Sequence, residues 1–147
     1  MSITKQNPRT IHLGGRIVEV NDVAASVAIT PGMLLLRLSS SGTPKYKPHD
    51  SASIEAVPVV ALNPSMLNKG IDDQYAIGDL VEAAVGEKGA TFYMLIPSGA
   101  NIAAGAMLES NGDGKLKAGT THPIFSALED VNNSAGPGDA RIRVEVK

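Results

Sequence analysis

The 147-residue chain has no cysteine and no tryptophan, and only five aromatic side chains, Tyr46, Tyr75, Phe92, Tyr93 and Phe125. Without thiols it has neither a disulfide framework nor thiolate chemistry, so its stability must come from packing or from a partner. Sugar-binding modules and single-strand nucleic-acid binders usually stack rings or bases on exposed aromatics, and the scarcity of such side chains counts against both. An excess of one charge is also missing: 13 Lys and Arg against 15 Asp and Glu leave a formal charge of −2, with no broad basic field to hold a polyanion. Nucleic acid is therefore not an expected partner. Neither is a membrane, because the longest apolar stretches, 33–36 and 57–62, are far too short to span a bilayer and the second is broken by Pro58. The first residues hold no apolar run after their charges, which argues against an ordinary secretory signal and predicts a soluble protein made in a cytoplasm.

What the chain does have is glycine in a repeated setting. A phrase of one apolar residue, two spacers, glycine, a spacer and two apolar residues occurs three times: Ile29-Thr30-Pro31-Gly32-Met33-Leu34-Leu35, Tyr75-Ala76-Ile77-Gly78-Asp79-Leu80-Val81 and Ile102-Ala103-Ala104-Gly105-Ala106-Met107-Leu108. Each copy sets a bend that glycine makes without steric cost before a run of strand-forming side chains. Gly32, Gly78 and Gly105 are thus expected structural turns. Gly112 and Gly114, in Asn111-Gly112-Asp113-Gly114 between two short β runs, form the strongest hairpin signal in the chain.

Strands are expected at 17–20, at 32–38 (buried on both faces), at 56–62 with Pro58 marking an edge, at 123–128 and at 140–147. The last is the clearest, because Ile142, Val144 and Val146 alternate with Arg141, Arg143, Glu145 and Lys147. Residues 80–85 and 91–96 read as a hairpin turned at 86–89, and 106–109 with 115–118 as a second. The polar stretch 39–50 reads as a loop, and 63–71 as one helical turn stopped by Gly70. The fold class is all-β, a small barrel or compact sandwich with at most one short helix. Residues 17–147 form its single domain. Residues 1–16 carry Lys5, Arg9 and Arg16 with no acidic residue, two apolar points at Ile3 and Ile11, and no helical period, and read either as a basic arm that is mobile until bound or as a frayed terminus of no consequence.

No catalytic constellation is visible. His12, His49 and His122 lack ligand-spaced partners and read as ordinary surface or turn histidines. The segment 109–114 imitates the start of a calcium loop, but Thr120 stands where the closing glutamate belongs. Asp72 and Asp73 are adjacent, so on an extended chain they point apart and cannot flank one substrate bond. The glycines at 86–89 match no phosphate loop, and Ser39 to Ser41 have no nucleophile elbow. No enzyme activity, metal or cofactor is expected.

Taken together, Ile29 to Leu34, Ala56 to Ala61, Ile71 to Val81, Ser98 to Leu108 and Gly112 to Leu116 resemble the head decoration, or cement, proteins of tailed bacteriophages, more narrowly the lambda-like and β-tulip group. The resemblance covers 29 to about 118 well and the ends poorly. It implies a β-tulip-like body that assembles as a homotrimer on the outer surface of an expanded capsid, clamping the major capsid protein and stabilising the shell. It also implies an N-terminal arm that orders on the capsid, a part that Ile3, Thr4, Lys5, Arg9 and Ile11 are expected to play. The competing expectations are a surface-displayed receptor- or glycan-binding β module, which the few aromatics weaken, and a small β-barrel hydrolase or isomerase, which the unpaired histidines weaken.

Overall fold

The repeated phrase folds the same way in all three copies in the computed structural model, which describes residues 7–147. Gly32, Gly78 and Gly105 have φ of +91°, +89° and +84°. The residue after each glycine donates its N–H back across the turn, Met33 to Thr30 O, Asp79 to Ala76 O and Ala106 to Ala103 O, at 3.0–3.2 Å. These are type II turns, which require φ > 0 at their third position. Each glycine N–H then docks on a distant strand carbonyl: Gly32 on Ala61 O, Gly78 on Ala25 O and Gly105 on Ala127 O, at 2.8–2.9 Å. The apolar residue that opens each phrase is buried (Ile29, Tyr75, Ile102), and so is at least one of the closing pair (Leu34 with Leu35, Val81, Leu108). The phrase is therefore a clamp, tying a turn to a neighbouring strand and handing the chain on with its next apolar side chain inward.

Thirteen short strands and one 3₁₀ turn are built between such turns among the described residues. Strands β3 (Leu35–Ser40), β4 (Thr43–Pro48), β2 (Ile17–Ala25), β6 (Leu80–Gly86) and β5 (Val59–Ala61) form one sheet in that order. Its two edges are joined by a bridge between Leu34 and Val60 and by the bonds Gly32 N–H to Ala61 O and Ala61 N–H to Met33 O, so the sheet curls into a small barrel. Val23, Ala25, Leu35, Tyr46, Ala61, Val81 and Ala83 fill it, with Ile29 and Tyr75 packed against them. The second sheet has the order β1 (His12–Gly14), β7 (Thr91–Ile96), β13 (Ala140–Val146), β11 (Phe125–Ala127), β9 (Met107–Ser110), β10 (Leu116–Ala118). It packs Phe92, Met94, Leu108, Phe125, Ile142 and Val144 against the outer face of the barrel at Leu34, Val60 and Ala84. Each such side chain, fully removed from water, contributes on the order of 1.5–3 kcal/mol. A ribbon of β8 (Asn101–Ile102) and β12 (Val131–Asn132) completes the fold.

The all-β class and the alternating final strand are as expected, with Ile142, Val144 and Val146 buried in the middle of the six-stranded sheet. Several local expectations are corrected. The stretch 43–48 is not a loop but β4, paired along its length with β3 through a two-residue turn in which Ser41 and Gly42 both have positive φ. Its only large apolar side chain, Tyr46, points into the barrel. Strand β3 is buried at Leu35 but half-exposed or exposed beyond it, because past the seam at 32–34 it pairs only with β4. The strands at 80–86 and 91–96 do not pair: the turn at 87–90 docks on β13 through Gly89 N–H to Val146 O and carries the chain from barrel to sheet. The turn at 63–71 is a 3₁₀ turn, Ser65–Leu67, ended by Asn68 at φ +55° rather than by Gly70.

Candidate interaction surface

The root of the N-terminal segment is fixed by the body. Ile11 is fully buried in the core between barrel and sheet, its N–H facing Asn63 Oδ1 at 3.3 Å and its carbonyl accepting from Tyr93 N–H at 2.8 Å. His12–Gly14 continue it as β1, antiparallel to β7. The expected arm therefore ends before Ile11, and Ile11 is a core residue rather than a contact held out to a partner. The reason is its place opposite β7, where an apolar side chain closes the gap left at the sheet edge. Of the other expected arm residues, Arg9 is exposed, and Ile3, Thr4 and Lys5 lie outside the described residues.

Asn7 and Pro8 line a shallow cavity of about 350 Å³ with Ile71, Asp72, Tyr93 and Arg141. Arg141 holds this region together: its guanidinium donates to Asp72 Oδ1 (2.8 Å), Pro31 O (3.0 Å) and Ile71 O (2.6 Å). One side chain of β13 thus ties the first repeated turn to the loop that leads into the second. A forked donor suits this task better than an ammonium, because its geometry reaches several acceptors at once. Asp72 keeps its carboxylate exposed while pairing with Arg141, and Asp73 accepts from Gly70 N–H at 2.7 Å.

The three histidines do not converge. His12 Nε2 lies against the carbonyls of Gly14 and Gly15, and His122 Nδ1 against Ser53 O. His49 departs from the surface role expected of it: its ring is buried, with Nδ1 2.6 Å from Ser110 Oγ. A serine–histidine contact invites a nucleophilic reading, yet Ser110 is fully buried and its Oγ also accepts from Gly112 N–H, so no substrate atom can reach it in this arrangement. The pair works as a tie. Beside it Glu109 accepts from Ser53 Oγ and His122 N–H, and Ser53 N–H donates to Ser110 O, pinning the loop 49–55 onto the β9–β10 hairpin. No cluster of three or more metal-ligating side chains occurs among the described residues.

Both ties favour the deprotonated group. Burial pushes the His49 ring below the ordinary histidine value, against Asp50 and the Glu55 backbone, which pull it up. The unfolded chain therefore binds the His49 proton more readily, so stability is full above about pH 6.5 and falls as the pH drops below it. The Glu109 carboxyl is held below its ordinary value by the His122 N–H and Ser53 hydroxyl, and its contribution is lost only as the pH falls below about 4.5. Chemical denaturation from pH 7.5 to 5.0 should show a midpoint that falls with pH, and His49→Gln should flatten that slope. A slope unchanged by the substitution would show that another group carries it.

A second surface feature was not foreseen. The 3₁₀ turn Ser65–Leu67 leaves Met66 and Leu67 exposed, next to Leu80 on β6. It could have been suspected from sequence only as two apolar residues between Pro64 and Gly70, where a polar loop is usual.

No family model matches this chain, and no curated protein matches it. Among solved structures it is similar to the N base of the head fibre gp8.5 of bacteriophage phi29, with a TM-score of 0.60 over 90% of this chain and 95% of that one, at 11% sequence identity. At that identity the likeness is one of fold, and it runs nearly end to end on both chains.

Proposed function

We propose that this chain is a structural protein of a tailed-bacteriophage head: a decoration or cement protein that sits as a homotrimer on the outer surface of the expanded shell and stabilises it. The observation that carries this reading is the nearly full-length fold likeness to a head-fibre base. The repeated turn phrase, whose residues resemble the lambda-like, β-tulip decoration group, supports it from the sequence. The protein is made in the host cytoplasm, its partners are the major capsid protein and two further copies of itself, and it acts without catalysis or cofactor. With Ile11 anchored in the core, the grip of the arm falls to the residues before it, Ile3, Thr4, Lys5 and Arg9. An extended segment added to an exposed strand edge of the coat contributes main-chain hydrogen bonds, and each bound copy favours the assembled shell by mass action.

Purified expanded shells lacking decoration provide the test. Full-length protein should co-sediment with them and raise their disruption temperature, whereas a variant lacking residues 2–6 should bind at least about tenfold more weakly, ~1.4 kcal/mol. Full-strength binding by the truncated form would move the interface onto the β body, and failure of the full chain to bind any shell would remove the capsid reading. Sedimentation equilibrium of the free protein checks the trimer separately.

A further inference from the structure

Strand β2 carries a bulge: Val20 faces Ala83 and Val23 faces Val81, so Asn21 and Asp22 together stand opposite Glu82 alone. The bulge brings Asn21 and Glu82 to the wall of a groove of about 190 Å³ lined also by Pro64, Met66, Leu67 and Leu80. Glu82 is buried, and its two carboxylate oxygens accept from Ser65 Oγ (2.7 Å) and Met66 N–H (3.1 Å). A buried carboxylate is costly unless its oxygens are satisfied, and here both are spent holding a surface turn in shape. That turn exposes Met66 by 69% and Leu67 by 67%, beside Leu80 at 62% and with Ile77 at 73% in the preceding type II turn. Large apolar side chains scattered singly need no explanation, but several around one groove, rigidly presented, mark a contact surface.

The groove's polar groups specify what it takes. The Asn21 amide oxygen is buried without a hydrogen-bond partner, and Asp79 and Glu82 line the same wall, with Asp22 exposed next to Asn21. None of these three carboxylates forms an ion pair among the described residues, and no Lys or Arg lines the groove. Its polar side thus carries two carboxylates and no cation, and its other side is aliphatic. We propose that this groove docks an apolar, lysine- or arginine-bearing segment of the shell protein, with an aliphatic side chain between Met66, Leu67 and Leu80 and the cation at the exposed Asp79. That the segment belongs to the shell rests on the capsid reading. The chemistry of the groove does not.

Two measurements separate these. ¹⁵N-labelled full-length protein is titrated with N-acetyl-Leu-Lys-Leu-amide and with N-acetyl-Leu-Glu-Leu-amide to millimolar concentration. The lysine peptide should give saturable amide shifts at Asn21, Met66, Leu67 and Leu80, the glutamate peptide should be several-fold weaker, and Leu80→Lys should abolish the difference. Absence of saturable shifts there, or equal binding of the two peptides, would overturn the proposal. Shifts at the same amides that grow with protein concentration, with none from the lysine peptide, would assign the groove to a second copy and also overturn it. In the shell assay, Met66→Lys and Leu80→Lys should each weaken binding about tenfold while Leu128→Lys, an exposed apolar residue that does not line the groove, should not. Equal binding by all three would exclude the shell as occupant. A wild-type protein that binds no shell fails the capsid reading, and the peptide titration then decides the groove alone.

Discussion

Replacing Gly32 with alanine should destabilise the protein by about 3 kcal/mol, combining ~1–2 kcal/mol for a side chain forced into left-handed backbone with ~1–3 kcal/mol for overpacking. Gly32 is buried, at φ +91°, and a β-carbon there would come within 2.9 Å of the Tyr93 carbonyl oxygen. It is also where the two sheets meet: its N–H donates to Ala61 O on β5 of the barrel, and its carbonyl accepts from Leu95 N–H on β7 of the six-stranded sheet. The clash cannot be relieved without parting one of these bonds. Gly78 and Gly105 have the same sign of φ but nothing within 4 Å of the added carbon, so alanine there should cost only about 1 kcal/mol. Urea midpoints of the three variants check the ranking. Equal losses at all three would mean that backbone strain alone matters and that the contact at Tyr93 relaxes freely.

Deleting residues 2–16 should cost more than deleting residues 2–6 by several kcal/mol. The longer deletion removes Ile11 from the core, worth ~2–5 kcal/mol even for truncation to alanine, and strips β1 from the edge of β7. The shorter one keeps every contact of Ile11 and β1 among the described residues. Binding studies with the longer form would therefore confound loss of the arm with loss of the fold. Thermal melts of both forms decide the matter, and equal midpoints would show that the contacts of Ile11 and β1 add nothing to the body.

Features governed by local stereochemistry were legible in the sequence. The final strand declared itself by strict alternation, and the turns at Gly32, Gly78 and Gly105 by a glycine standing where φ must be positive. The β9–β10 hairpin followed from Asn111-Gly112-Asp113-Gly114 for the same reason. Pairings fixed by distant chain were not. The turn at 86–89 was visible, but it leads from β6 to a strand that pairs with β1 and β13, because Gly89 and Ala90 bond to Val146 rather than closing a hairpin. Strand β4 was hidden by Pro44 and Pro48, which read as loop residues, and by Lys45 and Lys47, whose charge suits an outer face, leaving Tyr46 as its single inward signal. Ile11 looked like a tail residue because its partners, Asn63 and Tyr93, are more than fifty positions away. The interaction surface was least legible of all, since a bulge, a buried Glu82 and an exposed Met66 acquire meaning only when placed side by side.

The most direct test of the head-protein reading is electron cryomicroscopy of expanded, undecorated shells before and after incubation with the full-length protein. Added density on the outer surface at three-fold and quasi-three-fold positions, into which three copies of the β body fit with their N-termini toward the coat, is the expected result. Shells indistinguishable with and without the protein, under conditions where it remains folded, would contradict it.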